Sequence, residues 1–302
     1  MDGAGLFSDV RDLRSLSYMW VSATTLLLCD TLQNLPQEVD YIWRSRWSVP
    51  KVLYVIVRYW ALFSMIVNSL GNSTVQSSLE RCRIYLVFCS TIGGSTMSSI
   101  TVDTILAFRL AALYDGQTKF IYLLAFLLVA EFSVQLYVGI EISKALSKQA
   151  FLAPFGLPLP GCLSFADISS SLPAWVVNIS VSVVLFLMMI GKSYSSTIPQ
   201  NPRRRSRFSP LMRAVVRDGT FYFVLNIISL TSGCMSNYLV QGPLASACFA
   251  WMSSFFAIAG SRLIIGLRKA AVSLESNFDT RVLADELALH ETRASLSLRQ
   301  TM

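Results

Sequence analysis

Residues 219–261 run for 43 positions without a charged side chain, and Gln241, Gly242 and Pro243 are the one polar break in that stretch. A helix needs about 20 apolar residues to cross a bilayer, so this pattern predicts a pair of crossings joined by a tight turn. Long apolar runs separated by short polar breaks recur upstream. They predict spans over residues 16–35, 52–70, 84–112, 120–140, 172–191, 219–240 and 243–267. The third is long enough to tilt or to project past the membrane. The expected fold class is an all-α integral membrane protein, a seven-helix transmembrane bundle over residues 16–267. Residues 1–15 precede it on the outer side, and a tail over 268–302 follows. Asp2, Asp9, Arg11, Asp12 and Arg14 come before the first apolar run, which therefore reads as an uncleaved signal anchor.

Composition agrees with this reading. With 53% hydrophobic residues, 14% charged residues and a mean hydropathy of +0.53, the chain is too apolar for an ordinary soluble domain. The placement of Lys and Arg matters more than their number. With alternating sides, one side collects Arg44, Arg46, Lys51, Arg109, Lys119, Lys192, Arg203, Arg204, Arg205, Arg207, Arg213, Arg217, Arg262, Arg268 and Lys269, which is 15. The other collects Arg11, Arg14, Arg81, Arg83, Lys144 and Lys148, which is 6. The positive-inside rule then puts the N-terminus outside and the tail in the cytosol. The net charge of +7 is accordingly a topological signal and not a mark of nucleic-acid binding. The dense run at 203–207 reads as an anchor against anionic lipid. A multi-pass protein of this kind belongs in the plasma membrane or another membrane of the secretory pathway.

Cysteine positions sharpen the orientation. Cys29, Cys89, Cys234 and Cys248 fall within spans, where a thiol is usually a packing residue. Cys82 and Cys162 both fall outside. An oxidising exterior lets them form a disulfide that draws the loop between the fourth and fifth spans over the bundle mouth; the alternative is two free thiols on one side. That loop contains three prolines and two glycines within 153–161, so it reads as a folded lid and not as a further span. Of two glycosylation sequons, Asn72 lies close to the second span, and Asn178 lies inside the fifth, where it should be silent.

Charge within hydrocarbon is costly, so the ionisable groups inside spans are the candidate functional residues. Apart from Arg109 and Arg262, which stand at inner helix ends, they are Asp30, Arg58, Asp103 and Glu131. At about 1.5 Å per residue, Asp30 and Arg58 match in depth on the first two helices and are expected to pair, with a structural role. Asp103 and Glu131 have no basic partner at their depth. They are expected to be protonated, to hydrogen-bond to neighbours such as Ser99 or Asn226, or to face water. Polar glue between helices and a ligand or proton site both fit that pattern.

Other chemistries lack their residues. His290 on the tail is the single histidine, which excludes a histidine metal site or a His-based catalytic pair in the bundle. Neither a catalytic constellation, nor a cofactor site, nor a metal site is expected. Gly93 and Gly94 read as a close-packing pair on a membrane helix. In the tail, Leu274, Phe278 and Val282 recur every four residues and predict an amphipathic helix along the inner surface.

One block of residues is distinctive as a set. Asp30, then Leu35, Pro36, Gln37, Glu38 and Val39, then Ile42, Trp43, Trp47, Ser48, Lys51, Val52, Leu53, Arg58 and Tyr59 resemble the N-terminal signature of a large family of basidiomycete fungal membrane proteins known only by a domain of unknown function. Arg109 at the inner end of the third helix, Arg217 to Thr220 and Tyr222 opening the sixth, and Ser261, Arg262 and Leu263 closing the seventh extend the likeness. The specific block lies near residues 18–63. The resemblance implies a seven-helix integral membrane protein and supplies no substrate.

Two functional classes remain. A receptor-like signalling protein, with a small-molecule ligand or a cytosolic signalling partner, would suit the outer disulfide, Arg109 and the basic third inner loop. Against it, Phe108 stands where an acidic residue would precede the arginine, and the seventh span has no Asn-Pro-x-x-Tyr. A transporter or channel for a small solute or proton would suit the buried charges, although broken helices and internal repeats are not expected from the sequence.

Overall fold

The computed structural model describes residues 3–74, 78–93, 95–114, 116–151, 162–164, 171–197, 210–239, 243–269 and 272. The proline-rich stretch 153–161, the basic run 203–207 and nearly all of the tail lie outside the described residues. Helix α1 runs Gly3–Glu38 and passes directly into a π-helical turn, Val39–Trp43. It starts well before the apolar run that suggested it, so most of segment 1–15 is helical. A second rod is built from α2 (Val49–Val55), a π-helical turn (Ile56–Trp60) and α3 (Ala61–Ser73). Next come α4 (Leu79–Thr91), α5 (Ser95–Leu113) and α6 (Thr118–Lys148). A two-residue antiparallel pair follows, β1 (Ala150–Phe151) with β2 (Leu163–Ser164). Then α7 (Leu172–Thr197) and α8 (Pro210–Leu239) lead through a short 3-10 turn, Pro243–Ser246, to α9 (Ala247–Lys269).

Five tracts among the described residues are long and apolar enough to cross a membrane: Val49–Ser73, Leu79–Leu113, Thr118–Lys148, Leu172–Lys192 and Ala247–Lys269. Helices α1 and α8 are longer than most of these, at 36 and 30 residues, but they are more polar, with Asp30, Asn226 and several Ser and Thr in their apolar runs. The third apolar run is also corrected by the structure. It is not one continuous helix: α4 ends at Thr91, the chain turns at Ile92 and Gly93, and α5 begins at Ser95. There the amide of Gly93 donates to the carbonyl of Phe88 and its own carbonyl accepts from Asn68 Nδ2 at 2.8 Å. A buried asparagine thus satisfies backbone that the break exposes, which is the condition for irregular backbone at membrane depth.

Polarity is distributed the wrong way round for water. Leu32, Phe63, Leu70, Phe126, Val129, Leu187 and Ile228 are exposed, whereas Asp30, Glu38, Arg58, Asp103, Glu131 and Asn226 are buried. An apolar exterior of this extent is stable in lipid. Inside, one apolar cluster joins α2, α5, α7, α8 and α9 around Tyr54, Leu106, Leu185, Phe223 and Phe256. A second joins α1, α3 and α9 through Ala23, Ala61, Ala250 and Ala257, whose small side chains let the helices approach closely. Two glycines serve the same end. A Cβ on Gly139 of α6 would lie 2.6 Å from the carbonyl oxygen of Ser90 on α4, and one on Gly260 of α9 would lie 2.8 Å from Val57.

Candidate functional site

Arg58 is completely buried in the π-helical turn of the second rod. A π turn holds one more residue than an α turn and shifts the helical phase. Here it directs a guanidinium into the bundle, where three other elements meet it. Arg58 Nη2 donates to the carbonyl of Asp30 at 3.0 Å and lies 3.6 Å from Asp30 Oδ2. Nε lies 3.6 Å from Glu38 Oε2, and Nη1 donates to Ser261 Oγ on α9 at 3.0 Å. The planar face lies over Tyr54, 5.8 Å from the ring centre. Asp30 is in turn bonded by Arg262 Nη2 at 2.6 Å. Glu38 Oε1 accepts from Trp43 Nε1 at 3.1 Å and from the Tyr59 hydroxyl. Two carboxylates and two guanidiniums therefore form a neutral set. Arg58, Glu38 and Asp30 are enclosed, while Arg262 is half exposed at the end of the bundle.

Next to this cluster the turn between α1 and α2 is clamped from both sides. Lys51 is buried, donates to the carbonyls of Trp43 and Ser45 at 3.1 and 3.0 Å, and sits over the rings of Trp43 and Trp47. From α9, Arg268 donates to the carbonyl of Tyr41 at 2.9 Å and to the hydroxyls of Ser45 and Ser48.

Asp103 on α5 and Glu131 on α6 are also fully buried, and their carboxyls lie within hydrogen-bonding reach of each other. Asp103 Oδ1 accepts from Ser182 Oγ of α7 at 3.1 Å and from Asn226 Nδ2 of α8 at 3.2 Å. Glu131 Oε1 accepts from Gln135 Nε2 at 2.8 Å. Of the two neighbours expected for these acids, Asn226 is present. Ser99 is engaged elsewhere, accepting from Asn178 Nδ2 at 2.8 Å. Asp103 Oδ2, Glu131 Oε2 and Asn226 Oδ1 are buried and accept no hydrogen bond from the described residues.

At the opposite end from Arg58, Cys82 of α4 is disulfide-bonded to Cys162, which directly precedes β2. The loop after α6 is thus fastened to the third apolar tract. At the other end of that tract, Arg109 Nη2 donates to the carbonyl of Leu263 on α9 at 2.8 Å. Asn72 uses its amide nitrogen to bond the carbonyl of Asn68 and the Tyr85 hydroxyl, both at 2.8 Å, and Asn178 is buried within α7.

Two members of the Arg58 cluster escaped the sequence reading as site residues. Glu38 lies beyond the predicted end of the first span, and Arg262 is one of the basic residues that set the predicted orientation. The signal that could have found them is their presence, with Asp30, Arg58 and Ser261, among the residues that carried the family resemblance. A family model described as a family of unknown function (DUF6533) matches residues 18–63, and that stretch contains Asp30, Glu38, Trp43, Lys51, Arg58 and Tyr59. No curated protein matches the chain.

Proposed function

We propose that this chain is a receptor-like seven-span membrane protein, with its N-terminus outside and its tail in the cytosol, that passes a small-molecule signal to a cytosolic partner. One observation carries the reading. The tract Leu79–Leu113 is bound to the loop at one end by Cys82 and to α9 at the other by Arg109, and it is divided between them at 92–94. An element anchored at both faces can couple them if its two halves move together. The lengths of α1 and α8 and the inward placement of Asp30 and Asn226 support two further crossings beside the five apolar tracts. The disulfide supports an oxidising environment for the end that bears Cys82, in agreement with the 15 to 6 asymmetry of basic residues.

Coupling is tested by hydrogen exchange on the full chain in lipid nanodiscs, comparing wild type with Cys82→Ser/Cys162→Ser. Altered protection at the cytosolic ends of α5 and α9 is expected. Changes confined to α4 and the loop would rule out coupling through this tract.

A second reading, transport of a proton or small solute, is favoured by the carboxyl pair Asp103 and Glu131 together with the break in the third tract. It predicts acidification of the lumen of proteoliposomes along an imposed gradient, above that of empty vesicles, and loss of that flux in Glu131→Gln.

A further inference from the structure

We propose that Asp103 and Glu131, with Asn226, form a binding site for one monovalent cation, a proton or a sodium ion, inside the bundle. Two carboxyls in contact carry a formal charge of −2 if both ionise, and both side chains are fully buried. The polar groups that face them are Gln135 from α6, Ser182 from α7 and Asn226 from α8. All three are neutral, and among the described residues no Lys, Arg or His acts on either acid. Two neighbouring like charges in a fully buried site cannot both persist without a positive guest.

Unsatisfied atoms define that guest independently of the charge count. Each acid has one oxygen held by donors and one without any: Asp103 Oδ2 and Glu131 Oε2. Asn226 is 4% exposed, its nitrogen is committed to Asp103 and Ser182, and its oxygen has no donor either. A buried acceptor left unpaired is costly, so three in one cluster call for a donor or a cation. A single proton held by the pair supplies a donor to a cluster whose free carboxylate oxygens, Asp103 Oδ2 and Glu131 Oε2, otherwise only accept. A sodium ion would instead take those oxygens and Asn226 Oδ1 as ligands, oxygen being the donor that hard cations prefer. Three free acceptors are too few for Ca2+, which takes six to eight oxygens. The charge of −1 that remains is stabilised by the bonds from Ser182, Asn226 and Gln135. The site is independent of whether the bundle signals or transports.

The test uses the purified full chain in detergent micelles, with wild type, Glu131→Gln and Asp103→Asn. Two quantities are read: the carboxylic-acid C=O absorption in the infrared as a function of pH, and the thermal midpoint in NaCl against choline chloride. A protonated-acid band in wild type that is lost in either amide variant identifies the proton. Absence of that band, with a midpoint about 2–4 °C higher in saturating sodium and no such rise in the variants, identifies sodium. Each amide is expected to remove the cation response because its own NH2 supplies the missing donor. Wild type with neither a protonated-acid band nor a sodium-dependent midpoint overturns the site, and that result needs no variant to fold. A band or a sodium response that both amide variants retain also overturns it.

Discussion

Two buried polar clusters occupy this bundle, and they are balanced in opposite ways. Around Arg58, each negative charge meets a positive one across elements, Asp30 on α1 with Arg58 and with Arg262 of α9, and Glu38 with Arg58, although Asp30 Oδ2, Glu38 Oε2 and Arg58 Nε are held by ion pairing at 3.6 Å and not by hydrogen bonds. Around Asp103, the two acids face neutral donors alone among the described residues. Removing one member of a compensated set strands a charge, which is strongly destabilising. Removing one charge from an uncompensated pair relieves repulsion. The contrast separates a cluster that holds helices in register from one equipped to take up and release something, and each cluster predicts a different response to mutation.

The largest effect is expected from Arg58→Gln. It leaves Glu38 without its ion-pair partner and Asp30 with Arg262 alone, and it should cost about 3–5 kcal/mol, read as loss of monodisperse protein on size exclusion. Arg58→Lys should recover little, because a single ammonium cannot reach Asp30, Glu38 and Ser261 at once. Normal yield of either variant would break the comparison at its first term.

Next in size is the disulfide at the far end, which lies outside both clusters. Cys82→Ser/Cys162→Ser should lower stability by about 2–4 kcal/mol while leaving the cation response of the carboxyl pair unchanged. Mass mapping of non-reduced protein should recover the Cys82–Cys162 cross-linked peptide. Both thiols free would remove the reference point.

A pair of double mutants then resolves the Arg58 cluster internally. Glu38→Gln/Arg58→Gln removes one charge of each sign and keeps Asp30 paired with Arg262. Asp30→Asn/Arg58→Gln instead leaves Glu38 without a cation and Arg262 without its carboxylate. The first should fold better than the second by roughly 0.5–3 kcal/mol, the range of coupling between residues in contact. Equal losses would show that pairing with Arg262 does not compensate Asp30 once Arg58 is gone.

The smallest effect belongs to the acids. Asp103→Asn and Glu131→Gln should change stability by less than about 1 kcal/mol in either direction, since an amide keeps the hydrogen bonds at modest worth per bond. Thermal unfolding in micelles measures it. A loss as large as that of Arg58→Gln would mean that both acids are ionised and paired with a charge not identified among the described residues.

Much of this was readable along the chain, and particular residues show where the reading stops. The apolar runs announced a helical membrane protein because the transfer of a helix into lipid is close to a sum over its residues, and a sum needs no knowledge of neighbours. Cys82 and Cys162 were matched by side alone. Depth likewise put Asp30 beside Arg58, since distance along a helix axis is a count of residues. Glu38 is not legible because the apolar run stops at Leu35 while the helix goes on to Glu38, and Arg262 because depth says nothing about rotation about that axis. The π turns Val39–Trp43 and Ile56–Trp60 change helical phase without a recognisable signature in the sequence. The break at 92–94 was likewise misread, because Gly93 and Gly94 suit close packing within a helix as well as its interruption. Interruption is tolerated here because Asn68, on another rod, reaches the carbonyl of Gly93.

By itself, then, the sequence determined that this chain carries helices apolar enough to cross a bilayer, which residues are too costly to face lipid, and how far along its own helix each lies. Those quantities depend on composition and on position along one axis. Only the tertiary structure decided which of the costly residues meet. Helix phase and crossing geometry are set by packing, through contacts such as Gly139 against Ser90 and Gly260 against Val57. The same packing that gave Arg58 two carboxylates gave Asp103 and Glu131 none but each other.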